Sequence, residues 1–208
     1  MIIFDLYEAL IRGLDGPAGR YLRYTYYRRR LKRCGKHVVI DCGVYILKPS
    51  MIELGDNVWL DKYSVLLAGE VDLMGKEVKC IENNFFTGQA GTIQIGDHSH
   101  IGIGTVIQGH GGVSIGRHFT SSAGCKIYSL SNDPENCKTG TMLNAEYIIH
   151  PVSMGENVWL GLQCVVLGHH IGSNTFIKPN SVVLSDIPSG IIHDGQGNQS
   201  KKRFNDNE

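Results

Sequence analysis

The sequence lacks a long hydrophobic run, a net charge and the marks of a secretory signal. No segment approaches the roughly 20 apolar residues that cross a bilayer, and Asp5 and Glu8 interrupt the first apolar run, which a signal peptide avoids. Lys plus Arg equals Asp plus Glu at 20 each in 208 residues, so whole-chain charge gives no reason to expect a nucleic-acid partner. These features indicate one cytoplasmic domain with a modest extension.

Cysteine pairs at close spacing are also missing. The six cysteines form no CxxC motif and no tight framework; they are Cys34, Cys42, Cys80, Cys125, Cys137 and Cys164. Scattered thiols in a chain of this size are typical of a reducing compartment. None of them lies in a setting that predicts an activated nucleophile.

Acidic residues are absent between Arg20 and Arg33, where seven basic residues alternate with tyrosines. Residues 3–33 are predicted to be helical, with a break at 13–17 and a stop at Cys34-Gly35. Two interpretations remain open. The helices cap one end of the main domain with tyrosines inward, or residues 20–33 make a peripheral contact with anionic lipid.

Glycine, by contrast, is abundant at 26 residues, and it recurs with a period of six. The aligned twelve-residue segments read LGDNVWLDKYSV, IGDHSHIGIGTV, IGRHFTSSAGCK, MGENVWLGLQCV and IGSNTFIKPNSV. In these six-residue units the first position is usually aliphatic, the second is often Gly, the fourth is often Asn or His, and the fifth is usually small or β-branched.

A period of six fits neither a helix nor simple strand alternation. It predicts a coil with three flat faces, in which the first and fifth residues point inward and stack on the coils above and below. Gly and Asn are expected at the corners because they accept positive φ at low cost. By the same rule His98 and His118, which stand where other units have Asn, are predicted to be turn residues.

These hexads resemble those of the hexapeptide-repeat acyltransferases, in particular the branch that acetylates sugar hydroxyls and amines. The resemblance covers about 38–187 and is most specific over 152–188, although only five residues run from Val166 to His170 before the next unit. It implies an all-β left-handed parallel β-helix with N-terminal helices, assembled as a homotrimer.

Three regions are predicted on this basis. Residues 1–35 form the helical, basic and aromatic segment, and 36–192 form the β-helix. Residues 193–208 form a polar, basic tail. Two stretches depart from the hexad register, 68–94 as a projecting hairpin or loop and 130–151 as a loop that covers the acceptor site in the resembled family.

The expected catalytic histidine is missing from its place. The family carries it at the start of the second loop, where this chain has YSLSND, so that Asn132 or Asp133 takes the position. A histidine from elsewhere is one alternative, with His110 the first choice and His150 the second. Asp133 as a base with a raised pKa is another, and loss of catalysis is the third.

The resemblance also implies acetyl-CoA as co-substrate, held between neighbouring subunits along the helix axis. The residues that match the family's coenzyme positions are Trp159, Gly161, Leu162, Pro179, Ser185, Lys201 and Lys202. Leu162 and Pro179 are bulkier than the residues usually found there. Lys201 and Lys202, with Arg203, are predicted to meet the coenzyme phosphates.

The sequence therefore predicts an acetyl-CoA-dependent acetyltransferase that uses direct attack by a sugar, nucleotide-sugar or lipid-linked glycan acceptor, in surface polysaccharide synthesis. No metal is expected. The first alternative is a catalytically silent trimer that binds a nucleotide-sugar or a protein. A zinc carbonic anhydrase with the same coil is the second; its closely spaced histidines have no good counterpart among His98, His100, His110 and His118.

Overall fold

The computed structural model describes residues 2–71, 78–133, 145–194 and 199–200, with side chains from residue 6 to residue 194. Two helices come first, α1 (Ile2–Gly13) and α2 (Gly16–Tyr27), and a 3₁₀ turn spans Pro49–Met51. Neither helix is long and apolar enough to cross a membrane, a statement that covers the described residues alone.

Short strands make up the rest of the described chain. In chain order they are β1 (Arg33–Cys34), β2 (Val39–Ile40), β3 (Tyr45–Leu47), β4 (Ile52–Leu54), β5 (Trp59–Leu60), β6 (Val65–Leu67), β7 (Val78–Cys80), β8 (Ile93–Ile95), β9 (His100–Ile101), β10 (Val106–Gln108), β11 (Val113–Ile115), β12 (Thr120–Ser121), β13 (Lys126–Tyr128), β14 (Leu130–Asp133), β15 (Glu146–Ile149), β16 (Val152–Met154), β17 (Val158–Leu160), β18 (Val165–Leu167), β19 (His170–Ile171), β20 (Thr175–Ile177), β21 (Val182–Val183), β22 (Ile192–His193) and β23 (Gln199–Ser200).

Three parallel sheets form the faces of a prism. Sheet A has the order β1-β4-β8-β11-β16-β19, sheet B runs β2-β5-β9-β12-β17-β20-β22 with β23 added antiparallel, and sheet C runs β3-β6-β10-β13-β18-β21. The chain visits A, B and C in turn, so each circuit is one coil of a parallel β-helix. The predicted three-sided coil is confirmed.

The core is the inside of this tube. First-position residues such as Leu54, Ile101 and Ile177, and fifth-position residues such as Val58 and Cys164, are fully buried or nearly so. Each stacks on its equivalent one coil away, because the parallel registers pair like positions. The hexad therefore predicted the core residues correctly.

The fourth position of each unit does adopt a left-handed backbone. His98 and His118 have φ of 57° and 58°, beside 56° for both Asn57 and Asn157. Their rings stack on each other in the turn, with centroids 5.2 Å apart. The prediction that these histidines are turn residues is confirmed.

The second-position glycines have a different cause from the one predicted. None of them has positive φ. Instead, a Cβ added at Gly116 would lie 2.5 Å from the carbonyl oxygen of Gly155, and one at Gly102 would lie 2.5 Å from that of Ser121. The coils approach too closely for a side chain there. The distance between coils, rather than a positive φ, therefore explains why the second position is glycine.

Replacing Gly116 by alanine should therefore lower the free energy of unfolding by about 2 kcal/mol, because the added methyl group meets backbone that cannot rotate away. Gly104→Asn is the matched control: Gly104 has φ of 66° and open space around it, so Asn should cost at most about 1 kcal/mol. Chemical denaturation of both variants measures the difference. Equal losses would contradict the spacing argument.

The N-terminal helices cap the first coil. Ile11, Tyr26, Tyr27 and Leu31 join the core cluster, whereas Tyr21 is exposed. The predicted helix to residue 33 is too long: α2 ends at Tyr27, and the chain then joins the edge of sheet A as β1. Backbone pairing with β4 takes over there, which local helix propensity cannot anticipate.

Both irregular stretches leave the prism at the same edge, where sheet C passes to sheet A. We call this the insertion edge; of the described residues it comprises 68–71, 78–92, 109–112, 129–133, 145–151, 168–169 and 184–186. Strands β14 and β15 form an antiparallel hairpin, and β15 pairs in parallel with β7 from the first insertion. The two insertions thus build one three-stranded sheet, which the sequence did not predict.

Candidate functional site

The insertion edge brings together two of the predicted catalytic residues. Ser129, buried at the start of the second insertion, accepts a hydrogen bond at Oγ from the amide of Gly111 at 2.9 Å. Its carbonyl oxygen accepts from the amide of His150 at 3.0 Å. His110 precedes Gly111, so Ser129 links the turns that carry His110 and His150.

His110 is held in a defined tautomer. Its Nδ1 lies 2.7 Å from the carbonyl oxygen of Gly69. A carbonyl can only accept a hydrogen bond, so Nδ1 carries a proton and the lone pair of neutral His110 is on Nε2. The ring is half-buried. This is the arrangement that a general base requires.

His150 lies on the wall of a small cavity. The cavity has a volume of about 160 Å³ and is lined by Ile81, Tyr128, Ser129, Leu130, Ser131, Ile148, His150, Leu167 and Gly168. The His150 ring packs directly against Gly168, whose φ is 67°, so glycine at 168 both makes the turn and leaves room for the imidazole. Residues 128–131 of the IYSLSND stretch, at the start of the second insertion, therefore line the same cavity as His150 at its end.

Two further histidines adjoin this wall. The amide of His169 approaches Nε2 of His150 at 3.4 Å, and Nδ1 of His169 lies 3.4 Å from Asp186. His170 is hydrogen-bonded through Nδ1 to Ser153 at 2.9 Å and stacks on Phe85. The sequence analysis assigned no contact in the site to His169 or His170. The shortened unit before Ile171, with five residues where the others have six, was the sequence feature that marked this turn.

Burial acts on two of these rings. It lowers the pKa of His150, and the nearby His169 lowers that pKa further. Burial also lowers the pKa of His170. Both rings therefore favour the neutral form in the folded protein.

The protein should consequently lose stability on acidification below about pH 6.5. In that range the unfolded chain, whose histidines have the ordinary pKa near 6.5, binds more protons than the folded one. The thermal midpoint should fall from pH 7 to pH 5.5. A His150→Gln/His170→Gln variant should show a shallower fall, whereas His118→Asn, in the exposed turn, should keep the wild-type slope. An unchanged slope in the double variant would contradict this explanation.

Asn132 and Asp133 lie farther out along β14. They pair with Tyr147 and Glu146 across the hairpin, and Asp133 is buried whereas Asn132 is exposed. The roles predicted for them stay predictions. The hairpin carries both residues away from the turn of His110.

The predicted coenzyme residues lie mostly on another edge. Gly161, Leu162 and Pro179 meet where sheet B passes to sheet C; Gly161 donates to Ile177 O at 2.8 Å, and Leu162 is 46% exposed. Trp159 lies next to them on the outer face of sheet B, where its ring contacts Phe176. Ser185 is on the insertion edge, and Lys201 and Lys202 lie outside the described residues.

The outer face of sheet C separates the two groups. Its outward side chains are mainly apolar and half-exposed; they include Val65, Leu67, Val106, Tyr128, Val165, Leu167 and Val182. The outward positions of sheet A are polar, among them Glu53, Gln94, Ser114 and Ser153. Within one chain, His110 and Leu162 therefore flank a bare apolar face.

The histidines considered as zinc ligands of a carbonic anhydrase lie in separate parts of the fold. His110 is on the insertion edge, His98 and His118 are in the turn between sheets A and B, and His100 pairs with Asp61 at 2.9 Å on sheet B. No group of three potential ligands among His, Cys, Asp and Glu is gathered within the described ranges.

The fold is that of the hexapeptide-repeat acyltransferases, as the sequence resemblance predicted. AntD, an N-acyltransferase from Bacillus cereus in complex with dTDP and 3-hydroxybutyryl-CoA, superimposes with a TM-score of 0.65 at 18% identity, over 87% of this chain and 88% of AntD. The hexapeptide-repeat acetyltransferase VCA0836 from Vibrio cholerae, complexed with acetyl coenzyme A, gives 0.60 at 17% identity over 96% and 85%. The all-β, left-handed β-helix is confirmed.

Proteins with similar sequences are named as acetyltransferases or acyltransferases. A candidate acetyltransferase of Saccharomyces cerevisiae, YJL218W, is 32% identical over 118 residues, which is 55% of this chain and 58% of the relative. Galactoside O-acetyltransferase of Escherichia coli is 34% identical over 64 residues, 30% of this chain and 32% of that enzyme. An Escherichia coli dTDP-4-amino-4,6-dideoxy-D-glucose acyltransferase is 27% identical over 79% of this chain and 67% of its own length. The chain spans well under two thirds of the first two relatives, and no protein-family model matches it.

Proposed function

We propose that this protein is an acetyl-CoA-dependent acetyltransferase that acts on a sugar hydroxyl or amine, with His110 as general base. The observation that carries this proposal is the fixed tautomer of His110 on the insertion edge, where a small cavity is lined in part by His150. The relatives named as sugar acetyl- and acyltransferases support the same reaction class.

The chemistry follows from the tautomer. Nε2 of His110 takes the proton from the acceptor O–H or N–H while the acceptor oxygen or nitrogen attacks the thioester carbonyl. The tetrahedral intermediate collapses by breaking the C–S bond, and the leaving thiolate of coenzyme A takes up the proton. Cys125 and Cys164 are fully buried in the core, which supports direct attack over an acyl-enzyme on either thiol.

Coenzyme A fits the edge between sheets B and C. The methylene and methyl groups of its pantetheine arm suit the exposed Trp159 and Leu162, and the exposed Lys178 precedes Pro179 on the same edge. Lys201 and Lys202 complete the predicted phosphate contacts. The acceptor is a sugar, a nucleotide-sugar or a lipid-linked glycan used in surface polysaccharide synthesis; AntD in complex with dTDP supports the nucleotide-sugar among these.

We propose further that the active unit is a homotrimer in which the site lies between chains. His110 and Leu162 flank the apolar outer face of sheet C, so a neighbour packed on that face brings its edge between sheets B and C toward His110. Covering this face also removes half-exposed apolar side chains from water.

The described cysteines are all free, which supports placing the trimer in the cytoplasm, with residues 20–33 toward the membrane.

The first test is release of coenzyme A from acetyl-CoA with a panel of sugars, amino sugars and nucleotide-sugars. Acceptor-dependent release supports the proposal. Tight binding of a nucleotide-sugar with no release favours the silent trimer, and stoichiometric zinc in the purified protein favours the carbonic anhydrase.

The shared site can be tested by complementation. His110→Ala and Leu162→Arg chains should each be inactive, the second because the guanidinium blocks the pantetheine path. Chains unfolded and refolded together should recover about one quarter of wild-type activity, since random mixing pairs an intact His110 with an intact neighbouring Leu162 at that frequency. Inactive mixtures that still form trimers would place both residues in one chain's site.

A further inference from the structure

We propose that the N-terminal helices dock on an anionic lipid bilayer, with an apolar stripe of α1 inserted and the turn after α2 supplying cations. The stripe is formed by Leu6, Leu10 and Leu14, which are 71%, 72% and 44% exposed. Leu6 and Leu10 are four residues apart on α1 and share one face, and Leu14 continues the same spacing just beyond its last residue. The core side of α1 buries Ile11 instead.

The cations lie at the end of this stripe. Tyr7 on α1 contacts Tyr26 with ring centroids 5.7 Å apart, and the Arg30 guanidinium lies 3.6 Å from the centre of the Tyr26 ring. Arg28 and Arg29 precede Arg30 and are exposed. Neither has a carboxylate partner within the part of the chain that the structure describes.

Charge favours a bilayer over another protein chain as the occupant. Lys32 is paired with Glu53 at 2.8 Å, whereas Arg28 and Arg29 are exposed on the turn, and the sequence has no acidic residue from Arg20 to Arg33. A second copy packed on the stripe with the two α1 helices parallel would bring two identical cationic turns together, which costs free energy. An anionic lipid surface accommodates the leucines and the arginines at once.

This surface is separate from the insertion edge, so the inference does not rest on the proposed reaction. Acetyl transfer to a soluble acceptor and vesicle binding are independent readouts. In the proposed trimer three stripes would reach one membrane together, so that modest single-site affinities multiply.

The experiment is co-sedimentation of the full chain with vesicles of phosphatidylcholine alone and of phosphatidylcholine mixed with phosphatidylglycerol. We expect binding to the anionic vesicles that weakens as salt rises. Leu10→Glu should lower the partition coefficient at least about tenfold, because a carboxylate replaces an inserted leucine. Ala9→Glu is the matched control, since it adds the same charge at an exposed neighbouring position while keeping all three leucines, and it should lower binding less than Leu10→Glu does.

Arg28→Gln/Arg29→Gln should weaken binding about fivefold for each charge removed and flatten the salt dependence. Circular dichroism and soluble-acceptor activity should match wild type in all these variants. Three results would overturn the proposal: no binding to anionic vesicles, equal binding to neutral ones, or a Leu10→Glu variant that keeps vesicle binding but changes the oligomer mass. The last would assign the stripe to a second copy.

Discussion

Replacing His110 by alanine should lower kcat by about 100-fold or more while leaving the KM for acetyl-CoA near its wild-type value. A positioned general base contributes on the order of 10²–10⁴ to the rate, and His110 has its Nε2 lone pair oriented by the hydrogen bond from Nδ1 to Gly69.

Two further variants distinguish loss of a general base at His110 from the loss of any other histidine. His118→Asn places in an exposed turn the residue that Asn157 already occupies at the equivalent position, so its activity should be unchanged. His150→Ala opens the cavity wall and should mainly raise the KM of the acceptor. Should His150→Ala abolish turnover while His110→Ala retains it, the base would be His150.

Replacing Arg23 by methionine should lower the free energy of unfolding by about 3 kcal/mol. Arg23 is fully buried, and its Nε donates to Ile40 O at 2.7 Å while Nη1 donates to Ile11 O at 2.7 Å and to Leu14 O at 2.5 Å. It thereby satisfies carbonyls at the end of α1 and ties both helices to the first coil. Methionine fills a similar volume but removes the guanidinium hydrogen bonds from those carbonyls.

The loss of stability in Arg23→Met should appear first in the N-terminal helices. A helix of 12 residues is marginal by itself, so α1 should show the largest increase in amide hydrogen exchange, ahead of the coils. Arg29→Met, at an exposed position of the same charge, should change stability by no more than about 0.5 kcal/mol. If Arg23→Met is as stable as wild type, removing a buried charge has offset the hydrogen bonds, consistent with burial lowering the pKa of Arg23.

The absence of histidine from IYSLSND now has a structural setting. In sequence, His110 lies 22 positions before Asn132 and His150 lies 18 positions after it, and nothing in either local pattern connects them. In the fold, Ser129 bonds to the turns of both. The segment predicted to match the histidine position of the resembled family lies in a hairpin arm, and His110 and His150 lie in neighbouring turns of the insertion edge at the start of that hairpin.

Part of this molecule could be predicted from sequence because the hexad is a local rule. The first and fifth residues of each unit must be apolar or small to fill a narrow tube, and the fourth must accept positive φ, so the period alone determined the three-sided coil, the core and the roles of His98 and His118. The second-position glycine was predicted for the wrong reason, since the distance between coils is not visible within a single unit.

What only the tertiary structure decided is where the interruptions meet. Both insertions leave at one edge, and their pairing through β7 and β15 joins residues nearly 70 positions apart. Such pairing depends on long-range backbone hydrogen bonds, which carry no period in the sequence. The same holds for the separation of His110 from Leu162 by sheet C. The order of faces around a closed prism, rather than any motif, places the proposed proton acceptor and the proposed coenzyme A groove on opposite sides of one apolar surface.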